Sequence, residues 1–158
     1  MNNETGYYRY NPEKSVKDLL IDTDDWGVLH LINMIENAGR DWYDNFMTPP
    51  RIGVGDMSLR NGGKWDDHSS HKNGLDVDVR YVRKDHMDTT LNIRIQPSLY
   101  DSSATLSLMR YMVDNGSVQL IILSPYAGII GNGVIADTTG AHDNHFHVRI
   151  FDPDGTQN

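Results

Sequence analysis

Two short segments of the chain concentrate the residue types that bind metal ions. Residues 70–78 and 142–147 together hold four of the seven histidines and several carboxylates. Histidine nitrogens and carboxylate oxygens are ligands of Zn²⁺, and the chain has no cysteine that could supply a thiolate. Any metal site here must therefore be formed from nitrogen and oxygen donors.

The spacing within each segment predicts how these side chains would meet. His145 and His147 are two residues apart among alternating apolar residues, and alternate side chains of a β-strand point to the same face. Asp76 and Asp78 have the same spacing in a second alternating run. With His71 just ahead of that run, the pattern predicts a three-ligand hydrolytic zinc site formed between two strands.

Each segment also has an interpretation without a metal. His71 could be a surface side chain, and the two aspartates that follow could be solvated or paired with Arg80 and Arg83. His145 and His147 could be two exposed imidazoles. Aspartate is depleted in strands, so two aspartates on one strand face need a partner. A metal ion would supply one, and so would the arginines.

Several other classes of function are not supported by the sequence. It contains no His-Glu-x-x-His segment, no Gly-x-Ser-x-Gly segment and no cysteine nucleophile. The net charge is −8 without a Lys/Arg cluster, which argues against nucleic acid as a partner because phosphate binding needs a concentrated basic surface. The longest apolar run, residues 120–123, is far too short to span a bilayer, so we expect no membrane insertion.

The order of helical and strand patterns predicts an α+β fold. At 158 residues the chain suits one domain, residues 1–158, with an extended lead-in over residues 1–22. We expect a largely antiparallel central sheet with flanking helices and the zinc site on one sheet face. The chain carries no signal for an oligomeric state. The predicted strands are residues 52–57, 75–82, 91–95, 118–123 and 145–151, with a polar loop over 58–70 and a glycine-rich loop over 128–140.

Two helices are indicated by apolar spacing and by the residues at their ends. Thr23 or Asp24 is a candidate N-cap for the first helix. That helix should run to about Ala38 or a little beyond, with Gly39 as a candidate stop. Asp101 or Ser102 should cap the second helix, and Asn115-Gly116 should stop it.

Two groups of residues carry a family resemblance. They are Gly55-Asp56-Met57-Ser58, Gly62-Gly63, His68-Ser69-Ser70-His71 and Gly74-Leu75-Asp76-Val77-Asp78 in the first group, and His142 with His145-Phe146-His147-Val148-Arg149 in the second. These groups resemble the two motifs of the penicillin-insensitive murein endopeptidases. Those enzymes are grouped with lysostaphin-type peptidases, D-Ala-D-Ala metallopeptidases and the hedgehog signalling domain, which share a zinc-site core.

The resemblance implies a role for each side chain of the two segments. It makes His71, Asp78 and His147 the ligands of one Zn²⁺ per chain, with a fourth position left for water. His145 would lie beside the metal as general base or transition-state stabiliser, and His142 would be a second catalytic residue at the site. The candidates for substrate binding or for support of the ligands are His68, Asp76, Asp56 and Trp65.

Most of these supporting residues have a structural alternative. Asp56 could serve a plain turn, and Trp65 could pack against a loop or the core. Asp76 could pair with a surface arginine instead of a ligand. We also expect Arg149 to pair with an aspartate on the neighbouring strand.

The resemblance implies hydrolysis of the peptide cross-links of bacterial peptidoglycan, between D-alanine and the side-chain amine of a diamino acid. Asn144 stands where the carboxypeptidase branch has a glutamate base, which favours an endopeptidase. A D,D- or L,D-carboxypeptidase and a catalytically silent module that binds zinc or peptidoglycan are the alternatives. The enzyme would act on the cell wall, in the periplasm or outside the cell. Because the N-terminus lacks a signal-peptide pattern, we expect endolysin-like release by a phage or a trimmed leader.

Overall fold

A computed structural model describes residues 7–9, 26–46, 48–59, 62–64 and 69–155 of the chain. This part of the chain forms two α-helices and one six-stranded sheet, which confirms the predicted α+β fold. The helices are α1 (Leu29–Asn45) and α2 (Ser102–Asn115). The strands are β1 (Tyr7–Arg9), β2 (Ile52–Val54), β3 (Asp76–Arg80), β4 (Val118–Leu123), β5 (Val134–Ala136) and β6 (His145–Ile150).

The sheet has the strand order β1-β2-β3-β6-β4-β5. Its three central pairings, β2 with β3, β3 with β6 and β6 with β4, are antiparallel. The two outer pairings, β1 with β2 and β4 with β5, are parallel. The sheet is therefore mixed: antiparallel through its centre and parallel at both edges. This order places β3 and β6, which carry the two polar segments, side by side.

One face of the central strands belongs to the hydrophobic core. Val77 and Val79 of β3 are fully buried, as are Phe146 and Val148 of β6. They form a single apolar cluster with side chains of both helices. Because side chains alternate along a strand, the polar residues at positions 76, 78, 145 and 147 share the other face.

Helix α1 extends further than predicted. Gly39, the predicted stop, lies buried inside the helix. Trp42 continues the apolar face beyond it, is fully buried and donates from Nε1 to the Pro50 carbonyl at 2.7 Å. Burial of this large aromatic side chain outweighs the cost of a helical glycine, about 1 kcal/mol. The helix consequently ends at Asn45 and not near Ala38.

Helix α2 begins and ends as predicted. The Asp101 side chain accepts a hydrogen bond from the Ala104 amide at 2.9 Å, which makes it the N-cap. The helix ends at Asn115, followed by Gly116. A Cβ at Gly116 would lie 2.5 Å from the Met34 side chain of α1, so glycine allows the two helices to meet closely here.

The strand predicted over residues 91–95 is wrong. Leu91 and Ile93 are buried, as alternation would require, but Ile95 is 76% exposed. The Asn92 side chain accepts hydrogen bonds from the backbone amides two and three residues further on, each at 3.1 Å. This local bonding forms a turn in place of a strand ladder.

The glycine-rich loop predicted over residues 128–140 contains a strand. β5 pairs with the end of β4, with Val134 beside Ile121 and Ala136 beside Leu123. Three residues between glycine-rich stretches are too few to show a recognisable alternation. The strand matters for the site because it returns the chain to the sheet immediately before the segment that leads into β6.

Several predictions fall outside the described residues. Thr23 and Asp24, the predicted N-cap residues, are among them, and α1 begins beyond them at Leu29. His68 and Trp65 also lie outside the described residues. Of the lead-in predicted over residues 1–22, only the strand β1 is described, and the rest of that prediction lies outside the described residues.

Candidate metal centre

Strands β3 and β6 bring the two polar segments into contact. Their antiparallel register pairs Asp78 with His147 and Arg80 with His145. The prediction that the polar side chains of each strand point to one face is confirmed, because the apolar residues between them are in the core. Asp76, Asp78 and the two histidines thus share the face opposite the core.

His71 reaches the same place from the loop ahead of β3. It is buried, and its backbone has a φ of +43°, a left-handed conformation that costs a non-glycine residue roughly 1–2 kcal/mol. Its Nδ1 lies 2.7 Å from the Met57 carbonyl oxygen. A carbonyl only accepts, so Nδ1 carries the hydrogen and Nε2 keeps a lone pair. A strained backbone that holds a buried imidazole in one orientation points to a functional residue.

Three electron-pair donors converge where the loop and the two strands meet. His71 Nε2 lies 3.1 Å from His147 Nδ1 and 3.3 Å from Asp78 Oδ1. His147 Nδ1 lies 3.0 Å from the same Asp78 oxygen. All three residues are buried, and together they could hold a metal ion. Donor atoms this close repel one another unless a proton or a cation lies between them.

The donor group suits a tetrahedral metal such as Zn²⁺. Bonds of about 2.0–2.1 Å to histidine and carboxylate place neighbouring tetrahedral ligand atoms roughly 3.3 Å apart. The three separations here, 3.0, 3.1 and 3.3 Å, are within a few tenths of that value. Two imidazoles and one carboxylate also match the number of protein ligands found in catalytic sites, which leave one position open.

Asp76 supports His147 from behind. Its Oδ1 lies 2.9 Å from His147 Nε2, so that nitrogen donates its hydrogen and Nδ1 faces the other donors. Asp76 is fully buried, and its Oδ2 has no hydrogen-bond partner among the described residues. That oxygen lies 3.4 Å from Arg149 Nη2, which confirms the expected pairing of Arg149 with an aspartate of the neighbouring strand.

The electrostatics of the group favour a positive charge among the donors. Burial raises the pKa of Asp78, but its contacts with His147, His71 and His145 outweigh burial and hold the pKa well below its ordinary range. Burial lowers the pKa of His147, yet hydrogen bonds to Asp76 and Asp78 raise it to about 9. Without a metal, a proton on His147 is therefore stabilised by the same carboxylates that would stabilise a bound cation.

His145 lies beside the donor group with one nitrogen available. Its Nδ1 donates to Asn144 Oδ1 at 2.6 Å, and its Nε2 lies 3.4 Å from Asp78 Oδ2. Burial lowers the pKa of His145 to about 4, against the attraction of Asp78. The ring is therefore neutral at neutral pH, and Nε2 has a lone pair that can accept a proton.

His142 completes the group of histidines. Its ring centroid lies 4.9 Å from that of His145 and 6.2 Å from that of His147. Its Nδ1 lies 2.8 Å from a carboxylate oxygen of Asp137. Sequence reasoning missed Asp137 because only the return of the chain through β5 brings this loop residue to His142.

The roles of the remaining predicted site residues stay predictions. Asp56 lies next to the centre, and its backbone carbonyl accepts a hydrogen bond from the Asp78 amide at 2.9 Å. A role for its side chain in supporting a ligand stays a prediction. His68 and Trp65 lie outside the described residues, so their predicted places at the site also stay predictions.

Sequence comparison assigns the chain to a family. The family described as penicillin-insensitive murein endopeptidase matches residues 20–121, more than half of the 158 residues. The chain belongs to this family. Membership identifies a peptidase that hydrolyses murein, the peptidoglycan of the cell wall. No curated protein matches the sequence.

The family match covers only one part of the candidate metal centre. The matched range contains His71 and Asp78, and it ends before His142, His145 and His147. The fold brings these later histidines to the matched pair through the contact of β6 with β3.

Among the described residues, no helix is both long and apolar enough to cross a membrane.

Proposed function

We propose that this chain is a zinc-dependent peptidoglycan endopeptidase that cleaves peptide cross-links. The bond is the amide between D-alanine and the side-chain amine of a diamino acid. The observation that carries the proposal is the convergence of His71 Nε2, Asp78 Oδ1 and His147 Nδ1 at separations of 3.0–3.3 Å. The family supports the substrate class, and the particular bond follows from the resemblance of the motifs.

One Zn²⁺ per chain would be held by His71, Asp78 and His147. Bound there, Zn²⁺ supplies Lewis-acid chemistry, which polarises the scissile carbonyl and lowers the pKa of water. Both imidazoles are oriented by hydrogen bonds from the ring nitrogen that would not bind the metal. His71 donates from Nδ1 to the Met57 carbonyl, and His147 donates from Nε2 to the Asp76 carboxylate. Such outer hydrogen bonds fix the orientation of metal-binding histidines.

His145 is the general base of the proposed reaction. Its neutral Nε2 accepts a proton from the attacking water as the water oxygen bonds to the carbonyl carbon. The same nitrogen then delivers the proton to the leaving amine as the carbon–nitrogen bond breaks. Burial keeps the ring neutral, and the bond from Nδ1 to Asn144 leaves Nε2 as the reactive nitrogen.

His142 is the second catalytic residue of the proposal. Its ring lies against that of His145 and is mostly shielded from solvent. With Nδ1 bonded to Asp137, its Nε2 is the nitrogen that can bond to the substrate beside the base. The pair of histidines thus places two proton-transferring groups next to the donor group.

Asn144 favours an endopeptidase over a carboxypeptidase. It occupies the position of the glutamate base of the carboxypeptidase branch, and an amide cannot accept a proton at neutral pH. Its Oδ1 instead accepts the Nδ1 hydrogen of His145. Asn144 therefore orients a histidine base and does not replace it.

Digestion of purified, cross-linked peptidoglycan tests the proposed function. Zinc-loaded and chelated protein are incubated with it, and the released peptides are resolved by mass spectrometry. We expect cross-linked dimers to disappear and monomers to increase with the zinc-loaded protein only. The newly formed D-alanine carboxylate and free side-chain amine would identify the bond.

Three results would contradict the proposal in different ways. Loss of terminal D-alanine with intact dimers would make the chain a carboxypeptidase. Absence of any product, with one zinc bound per chain, would make it a binding module. Cleavage that is unchanged by chelation would remove the metal from the mechanism.

A further inference from the structure

Asp137 meets His142 at the edge of the proposed active site. The Asp137 Oδ2 atom lies 2.8 Å from His142 Nδ1. The two side chains are only 13% and 18% exposed, respectively. The contact is therefore largely shielded from water, unlike a mobile ion pair on the surface.

The Asp137 carboxylate is fixed before it reaches the imidazole. Its backbone amide donates to the Leu123 carbonyl at 2.8 Å, where β5 ends beside β4. Thr139 donates to Oδ1 from its amide and to Oδ2 from its hydroxyl, both at 2.9 Å. Three hydrogen-bond donors therefore hold the Asp137 carboxylate: the amide and the hydroxyl of Thr139 and the imidazole of His142. The position of the carboxylate does not depend on His142 alone.

The backbone of His142 is fixed from the opposite side. The Tyr81 hydroxyl donates to the His142 carbonyl at 3.0 Å and accepts from the Ser124 amide at 2.9 Å. The next residue, Asp143, accepts a hydrogen bond from the buried Ser124 hydroxyl at 2.6 Å. With the backbone held, the freedom left to His142 is the rotation of its ring and the choice of protonated nitrogen.

We propose that Asp137 is a positioning residue that holds His142 in the tautomer with hydrogen on Nδ1, leaving Nε2 to face the substrate. An ionised carboxylate can only accept, so Nδ1 must donate. Burial raises the pKa of Asp137, but hydrogen bonds from His142 and Thr139 outweigh it and hold the pKa well below its ordinary range. The effect on turnover rests on the proposed function, whereas the tautomer does not.

The tautomer is measured directly by NMR. Zinc-loaded protein with ¹⁵N-labelled histidine gives long-range proton–nitrogen correlations that distinguish hydrogen on Nδ1 from hydrogen on Nε2. We expect Nδ1–H for His142 in the wild type, and hydrogen on Nε2 would overturn the proposal without any variant. Asp137→Asn keeps the size of the side chain but can turn an amide donor toward Nδ1, so we expect Nε2–H to increase.

A double-mutant cycle tests whether Asp137 acts through His142. Asp137→Asn should lower kcat at least about tenfold with little change in KM, and by no more than the roughly 10²–10⁴-fold that a positioned acid–base group supplies. The same substitution in a His142→Ala background should have no further effect. Zinc content should stay at one per chain, because neither residue belongs to the donor group. Asp154→Asn, at an exposed turn, removes the same charge and should leave kcat unchanged.

The outcomes separate this inference from the proposed function. Equal losses from Asp137→Asn with and without His142 would show that Asp137 acts through the fold, and would overturn the inference. Wild-type kcat in Asp137→Asn, with the tautomer unchanged, would also overturn it. If the wild type cleaves no cross-link but the His142 tautomer switches in Asp137→Asn as expected, the hold on His142 is supported and the proposed reaction is contradicted.

Discussion

At the scale of single residues, the position of one hydrogen atom on each imidazole decides what that histidine can do. An oxygen acceptor meets one nitrogen of every ring in the centre: the Met57 carbonyl, Asp76, Asn144 and Asp137. Each acceptor fixes a tautomer and leaves the opposite nitrogen for a metal ion or a proton. In the proposed reaction, the four rings are thereby divided into two metal-binding and two proton-transferring histidines.

This division predicts different effects for substitutions two residues apart. His145→Ala should lower kcat by roughly 10²–10⁴-fold and leave zinc content at one per chain, because the side chain acts on protons. His147→Ala should lose zinc, because it removes a donor and leaves Asp76 without its partner. Metal analysis and dimer cleavage on the same samples check both expectations.

A surface histidine supplies the control for this pair. His30, exposed at the start of α1, should keep both zinc and turnover when changed to alanine. Loss of zinc from His145→Ala would place that residue among the ligands and contradict the division.

Asp76→Asn should weaken zinc binding without abolishing it. The amide preserves size but removes the charge that orients His147 and pairs with Arg149. Loss of such an outer partner costs about 10–100-fold in metal affinity. Competition with a chromogenic chelator measures the affinity, and Asp85→Asn, an exposed partner of Arg83, is the matched control. Equal affinities for wild type and Asp76→Asn would refute this role.

The residue patterns in the sequence were sufficient to predict the shared strand faces, whereas the choice of His71, Asp78 and His147 as ligands came from the family resemblance. The i, i+2 spacing of His145 and His147 forces both side chains onto one strand face, so their pairing could be predicted locally. The partners of each ring depend on strand register and on the path of a loop. The sequence pattern therefore did not identify Asp137 as a partner of His142. It also could not show whether Asp76 pairs with His147 or only with an arginine.

At the scale of secondary structure, local signals succeeded where tertiary packing agreed with them. β4 and α2 have the apolar residues expected of a buried strand and of an amphipathic helix, and their predicted bounds are close to those observed. Gly39 failed as a helix stop because burial of Trp42 extends α1 past it. The segment over residues 91–95 failed because the Asn92 side chain bonds the backbone locally.

Removal of the N-cap of α2 should destabilise the fold. Asp101→Ala leaves the Ala104 amide without its acceptor, and such losses cost roughly 0.5–2 kcal/mol in the free energy of unfolding. Ser102→Ala, at the first exposed residue of the same helix, is the matched control and should change stability little. Urea unfolding of the chelated proteins measures both, and equal stabilities would remove Asp101 as the cap.

The contribution of Asp101 should also depend on pH. Burial raises the pKa of Asp101, but hydrogen bonds from Ala104 and Ser103 outweigh it and lower the pKa. A carboxyl whose pKa is lower in the folded state stabilises above its unfolded pKa and loses that effect as pH falls through the folded one. The difference between Asp101→Ala and wild type should therefore shrink in acid, and a constant difference would contradict the sign.

At the scale of the whole molecule, the donor group links parts of the chain that meet only when it folds. His71 lies in a loop, Asp78 in β3 and His147 in β6, 69 residues beyond Asp78. A metal ion that needs all three binds the folded state and not the unfolded one. Metal binding is then coupled to the stability of the entire fold.

Zinc should accordingly raise the midpoint of thermal unfolding. A free zinc concentration 100 times the dissociation constant stabilises the folded state by about 2.7 kcal/mol. Thermal unfolding in zinc buffer and in chelator measures the shift. His147→Ala should show almost none, and an equal shift in that variant would place the stabilising zinc elsewhere.

The most direct test of the central claim is hydrolysis of a purified cross-linked muropeptide dimer by metal-free protein titrated with zinc. The account predicts that the cleavage rate rises to a plateau at one zinc per chain. In ¹⁸O-labelled water, the new D-alanine carboxylate should carry one labelled oxygen. A dimer that stays intact with one zinc bound, or that is cleaved equally without zinc, would contradict the account.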